Sequence, residues 1–129
     1  MRAGRAFRAA VIARLASEVS GLSGKVFDKA VSGTSHPYAT LGASDFGDRS
    51  PTCLTLRPYA LQVDVWGRDT SKGALEDLVD DVTTALVGWS PAPIVAAHPL
   101  RLELVRIMDD PDGESVHGII QVSTMIEGV

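Results

Sequence analysis

Three histidines, one cysteine and sixteen carboxylates are the side chains in this sequence that could hold a metal or move a proton near neutral pH. His36, His98 and His117 fall in three separate segments, and no two stand at the spacing that puts a pair of imidazoles on one helix face. Each reads as a surface or half-buried histidine. Asp109, Asp110, Asp112 and Glu114 crowd around Gly113 in the manner of a calcium loop. An EF-hand with Gly113 as its glycine would begin at Met108 and end at Ile119, where an acid and a bidentate glutamate are required. A polar hairpin turn accounts for the same residues. Cys53 has no His or acid beside it, and a lone thiol can make neither an intramolecular disulfide nor a cysteine metal site. That pattern fits a reducing compartment. Gly21, Gly24 and Lys25 lack the spacing of a phosphate loop, and neither G-x-S-x-G nor H-E-x-x-H occurs. The reading is no catalytic residue, no metal and no cofactor.

Charge is the next constraint. Residues 1–72 carry ten basic and six acidic side chains, whereas residues 73–129 carry two basic and ten acidic ones. A chain so divided presents surfaces of opposite sign to its partners. Its net charge of −4 argues against nonspecific nucleic-acid binding, which needs a surplus of Lys and Arg. The arginines of the first fourteen residues superficially suggest a targeting segment. The only apolar run among them, Ala9 to Ala13, is shorter than the roughly 7–15 residues of an export signal. No run approaches the ~20 residues of a membrane span. The expectation is a soluble, cytoplasmic protein of one domain, residues 1–129, without membrane contact.

The elements that would position these residues follow from periodicity. Phe7, Ala10, Val11, Leu15 and Val19 recur at helical spacing and predict a helix over 4–19, stopped by Gly21. Leu75, Leu78, Val79, Val82, Ala85 and Leu86 predict a second over 71–87, with Glu76, Asp77, Asp80 and Asp81 on its wet face. Thr70 or Ser71 can cap its start and Gly88 its end. Strands are expected over 37–44, 55–66, 99–108 and 115–126, and Lys25 to Val31 reads as a brief strand or extended connector. Tyr59, Leu61, Val63 and Val65 alternate with Ala60, Gln62, Asp64 and Trp66, and Leu100, Leu102 and Leu104 with Arg101 and Glu103. In the last strand Val116, Gly118, Ile120, Val122, Thr124 and Ile126 make the inner face.

The fold class is therefore α+β, an antiparallel sheet of four or slightly more strands with two helices packed on one face. Leu61, Val63, Leu78, Val82, Leu102 and Ile120 should share the core. Val105, Ile107, Ile119 and Met125 should then point outward and form an apolar patch of the kind that marks a partner surface. Residues 43–57 are polar and include Gly47 and Pro51, which reads as a mobile loop or hairpin tip.

Four features together resemble the phage tail-completion family, which includes tail terminators of long-tailed phages and of gene transfer agents. They are the opening Ala- and Leu-bearing helix; Pro37-Tyr38-Ala39-Thr40-Leu41-Gly42 after Val26-Phe27-Asp28; Leu61-Gln62-Val63-Asp64-Val65-Trp66-Gly67-Arg68 running into the second helix; and Asp110-Pro111-Asp112-Gly113 followed by His117-Gly118. Gly67 departs from the Ser common in relatives, and residues 43–57 carry no family pattern. The resemblance implies a structural subunit without an active site. Six copies would form a ring that caps the tail tube and docks to the head-side connector or stopper, with DNA as passing cargo. In such a ring the apolar patch would meet a neighbour. Residues 43–57 would serve as an arm, mobile in the free subunit and ordered in the tail, with Phe46 and Leu54 as anchors and Asp45, Asp48 and Arg49 as rim.

Two other readings stand beside it. One is a head-closure or minor tail connector of the same particle. The other is a small ligand-binding or enzymatic α/β domain, which needs a polar pocket that the sequence does not display.

Overall fold

The computed structural model describes residues 3–47, 56–95 and 97–127. Helix α1 (Ala3–Glu18) buries Ala3, Phe7, Val11 and Leu15, one residue per turn, and leaves alanines and arginines around the rest of its circumference. A single 3₁₀ turn, Ser20–Leu22, ends it, and Ser23 and Gly24 follow at φ 51° and 74°. This left-handed pair turns the chain back into strand β1 (Val26–Phe27). Strands β2 (Tyr38–Phe46) and β3 (Leu56–Arg68) form an antiparallel pair, and β1 joins β2 in parallel through Val26↔Ala39 and Phe27↔Thr40. Helix α2 (Lys72–Leu86) starts under a cap from Ser71, whose hydroxyl accepts from Ala74 N at 3.0 Å, and Gly88 follows it at φ 82°. Strands β4 (Arg101–Asp109) and β5 (Ser115–Glu127) make the closing hairpin.

The sheet order is β1-β2-β3-β5-β4, so β5 lies between β3 and β4. Both helices cover the same side. The ring of Phe7 on α1 sits 4.8 Å from that of Tyr59, and Val79 on α2 packs over Gly118, which pairs with Val65. Tyr59 and Val65 point the same way from β3, which fixes the common face. A Cβ at Gly118 would lie 2.6 Å from Val79 Cγ2, so this glycine sets how closely α2 approaches the sheet. The core between helices and sheet holds Phe7, Leu15, Leu22, Tyr59, Leu61, Leu86, Leu100, Ile120 and Ile126, all essentially without exposure. Each such side chain contributes at most about 1.5–3 kcal/mol by area removed from water.

The α+β class, the two helices and their common face are as the sequence predicts. The sheet has five strands and is mixed, because the short Val26–Phe27 segment pairs in parallel. Leu61, Val63, Val82 and Ile120 are buried, and Leu78 is half-buried at the seam where its δ carbon meets Gly21.

Strand β4 corrects three assignments at once. Its register with β5 slips between Leu102 and Leu104: Leu102 pairs with Val122 and Leu104 with Gln121, so Glu103 is an extra residue. Such a bulge reverses which face every later side chain takes. Val105 and Ile107, expected outward, pair with Ile120 and Gly118 and pack against the core. Leu104 and Met108 take the outward positions instead. Leu102, expected in the core, is on the helix side but at the sheet edge, where it stays 43% exposed.

Candidate functional site

The face of the sheet opposite the helices carries a network of polar side chains. Gln62, Asp64 and Trp66 project from β3, Thr40 from β2, and His117 and Gln121 from β5, all by strand alternation. Trp66 Nε1 donates to Thr40 Oγ1 at 3.0 Å, and the indole stacks on the His117 imidazole with centroids 3.8 Å apart and planes 11° from parallel. The imidazole donates through Nε2 to Asp64 Oδ1 at 2.7 Å; Gln62 Nε2 donates to the same oxygen at 3.0 Å. Gln121 Nε2 donates to Gln62 Oε1 at 3.3 Å. Thr40 and Asp64 are buried even though no helix covers them. Gly42, at the bulge of β2, makes this possible, because a Cβ there would come within 2.7 Å of Asp64 Oδ2. The two buried polar side chains of this network, Thr40 and Asp64, thus each have a partner, which is the condition for burying them without a net loss.

This network ties β2, β3 and β5 together across an uncovered face. It joins a carboxylate to an imidazole, and His117 is hydrogen-bonded to no hydroxyl among the described residues. Among the described residues no group of three or more His, Cys, Asp or Glu is placed to hold a metal ion. Among the described residues no helix is long and apolar enough to cross a membrane.

Of the residues expected to form a partner surface, Ile119 and Met125 are on the open face, both half-buried, beside Asp64 and Pro58 respectively. Val105 and Ile107 are on the other side, as described above. A groove of about 210 Å³ is lined by Asp45, Gln62, Glu103 and Gln121 among others. Phe46 belongs to the helix side. Its ring lies 4.7 Å from Tyr59 and against Gly4, with the Arg57 guanidinium 4.5 Å above it. Residues 43–46 are therefore strand, not arm. Leu54, Asp48 and Arg49 lie outside the described residues.

Sequence reading missed the Asp64–His117 pair, whose members are 53 positions apart. A signal was available. Asp64 stands between Val63 and Val65 in a strongly alternating strand, where an acid is disfavoured unless something holds it.

The hairpin turn holds a second carboxylate in place. Asp112 accepts from the backbone N–H groups of Glu114 and Ser115 and from the Ser115 hydroxyl, each at 2.8 Å. These bonds, the Glu114 N–H foremost, lower its pKa to about 2.

Residues 9–127 match the model of a family described as tail completion protein gp17. No curated protein matches the chain. Among solved structures, a chain of the virion of the native gene transfer agent particle superposes with a TM-score of 0.84 at 19% identity, with 98% of each chain covered. The gp17 protein of bacteriophage SPP1 superposes with a TM-score of 0.61 at 24% identity, with 99% of this chain and 94% of that one covered. At these identities the likeness is one of fold.

Proposed function

The chain belongs to the tail completion protein gp17 family, and from that premise we propose that it is a tail terminator, a structural subunit of a phage or gene transfer agent tail. The observation that carries this reading is the match over residues 9–127, nearly the whole chain. The end-to-end superposition on a chain of a gene transfer agent virion supports it. In this reading the chain acts as one domain and its work is geometric. Six copies form a ring that stops growth of the tail tube, holds the head-side connector and leaves a channel for DNA. No cofactor takes part, and the subunit is not an enzyme. The open sheet face, with Ile119 and Met125, is left for a partner within the tail.

The test is deletion of the gene in a producing strain, followed by electron microscopy of the particles. Loss of a terminator gives tubes of uncontrolled length that do not join heads. Tails of normal length beside unjoined or emptied heads would assign the chain to head closure instead. Particles of normal appearance and full infectivity or transfer would remove it from tail assembly altogether.

A further inference from the structure

We infer that the two lateral flanks of the subunit bind each other, the β4–α2 flank of one copy seating on the β1–α1 flank of a second copy. The inference rests on the ring reading above and identifies the contact that would build it. The sheet order places β4 and β1 at opposite ends, so the joined surfaces differ. A contact between unlike surfaces propagates head to tail and closes into a ring when the rotation allows.

Charge selects the pairing. Lys72, at the start of α2, reaches Asp109 of β4 at 3.1 Å. Glu76 and Asp80 follow at four-residue steps and so run along that same edge of the helix. Both are exposed, and neither has an ion-pair partner among the described residues. The arginines of β4, Arg101 and Arg106, pair with Ser123 and Ile119 and so point to the open face, which leaves the helix side of this flank acidic. At the other end Arg5 and Arg8 of α1 stand on the helix side, with Lys29 just beyond β1. Arg8 is engaged with Asp28 at 2.8 Å, whereas Arg5 and Lys29 are exposed and without an ion-pair partner among the described residues.

Shape agrees with charge. β4 is a nine-residue edge strand with its outer backbone uncovered, the kind of edge that natural proteins either blunt or use for pairing. Leu102 projects from it on the helix side, 43% exposed. On the opposite flank, also on the helix side, an open trough of about 490 Å³ is bordered by Gly4, Arg5, Ala9 and Ile12 and by the Arg8–Asp28 ion pair. The acids of α2 then face Arg5 and Lys29 while Leu102 enters the trough.

Reversing each flank tests this. One variant carries Glu76→Arg and Asp80→Arg, the other Arg5→Glu and Lys29→Glu. All four positions are exposed, so unfolding temperatures within a few degrees of wild type are expected for both. Each variant would present like charge on both flanks and fail to join itself. Mixed together, they are complementary at every contact and assemble in strict alternation. In a gene-deleted producer, either variant alone should lower the yield of complete particles at least tenfold, and co-expression of the two should restore most of it. If either folded variant alone completes tails as wild type does, or if co-expression restores nothing, the flank contact is wrong. If the deleted strain needs no wild-type copy, the failure lies with the tail reading, which separates the two ideas.

Discussion

The Nε2 of His117 lies 2.7 Å from Oδ1 of Asp64, on the face of the sheet that neither helix covers. The pair joins β3 to β5, and Gln62 donates to the same carboxylate oxygen. Asp64 is a residue of β3 with 6% of its surface exposed, so its bonds are made largely out of water.

Removing that acceptor should therefore cost more than a surface change. Asp64→Ala leaves the His117 and Gln62 donors unpaired and is expected to destabilise the fold by about 1–3 kcal/mol, read as a shift in urea midpoint at pH 7. Asp64→Asn keeps an acceptor oxygen and should cost less. Equal losses for the two would show that the carboxylate charge, rather than the hydrogen-bond geometry, holds the strands.

The bulge at Glu103 predicts an inverted pattern of sensitivity along β4. Ile107→Ala should destabilise by about 1–3 kcal/mol, because the side chain packs against the core beside Gly118. Leu102→Ala should cost under about 1 kcal/mol in the isolated subunit. Thermal unfolding of the two variants decides it, and a larger loss for Leu102→Ala would mean that the register of β4 is wrong.

Asp112 gives the β4–β5 turn an acid limit. Its folded pKa, about 2, is below its ordinary value of 3.8, held there chiefly by the Glu114 and Ser115 backbone donors. A depressed carboxyl stabilises the fold above its unfolded pKa and loses that contribution as pH falls through the folded one. The contribution should be complete at pH 5 and above and fade between about pH 4 and 2. Following the Ser115 amide resonance with pH checks this, with a midpoint near 2 expected. A midpoint close to 4 would mean that the carboxylate is not held by the turn.

What the sequence revealed and what it hid divide along physical lines. α2 and β5 were legible because one face of each is buried throughout, so period 3.6 and period 2 are written in Leu75, Val79 and Val82 and in Ile120, Val122 and Ile126. The hairpin turn was legible from Pro111 and Gly113, whose conformations are local. The register of β4 was not. Leu100, Leu102 and Leu104 form an unbroken alternation, and only pairing with β5 reveals the extra residue at Glu103. The parallel β1 was equally hidden, since two residues carry no period. Among the expected partner residues, Ile119 and Met125 were placed on the correct face because β5 has no bulge, and Val105 and Ile107 were not because β4 has one.

The position of β5 between β3 and β4 also governs how this chain comes together in time. The β4–β5 hairpin closes over a short turn and can form within microseconds. Its other edge must then find β3, through partners that run from Arg68 with Ser115 to Leu56 with Glu127 and lie 47 to 71 positions apart. Closing loops of that length costs conformational entropy before any of the pairing is gained, and α2 must be threaded over the same seam as it happens. Until the seam closes, Val63, Val65, Ile120 and Val122 stay in water along two unsatisfied strand edges. The subunit is thus most prone to join the wrong partner during the interval before β5 slots home, when its central strands are indistinguishable from an assembly edge.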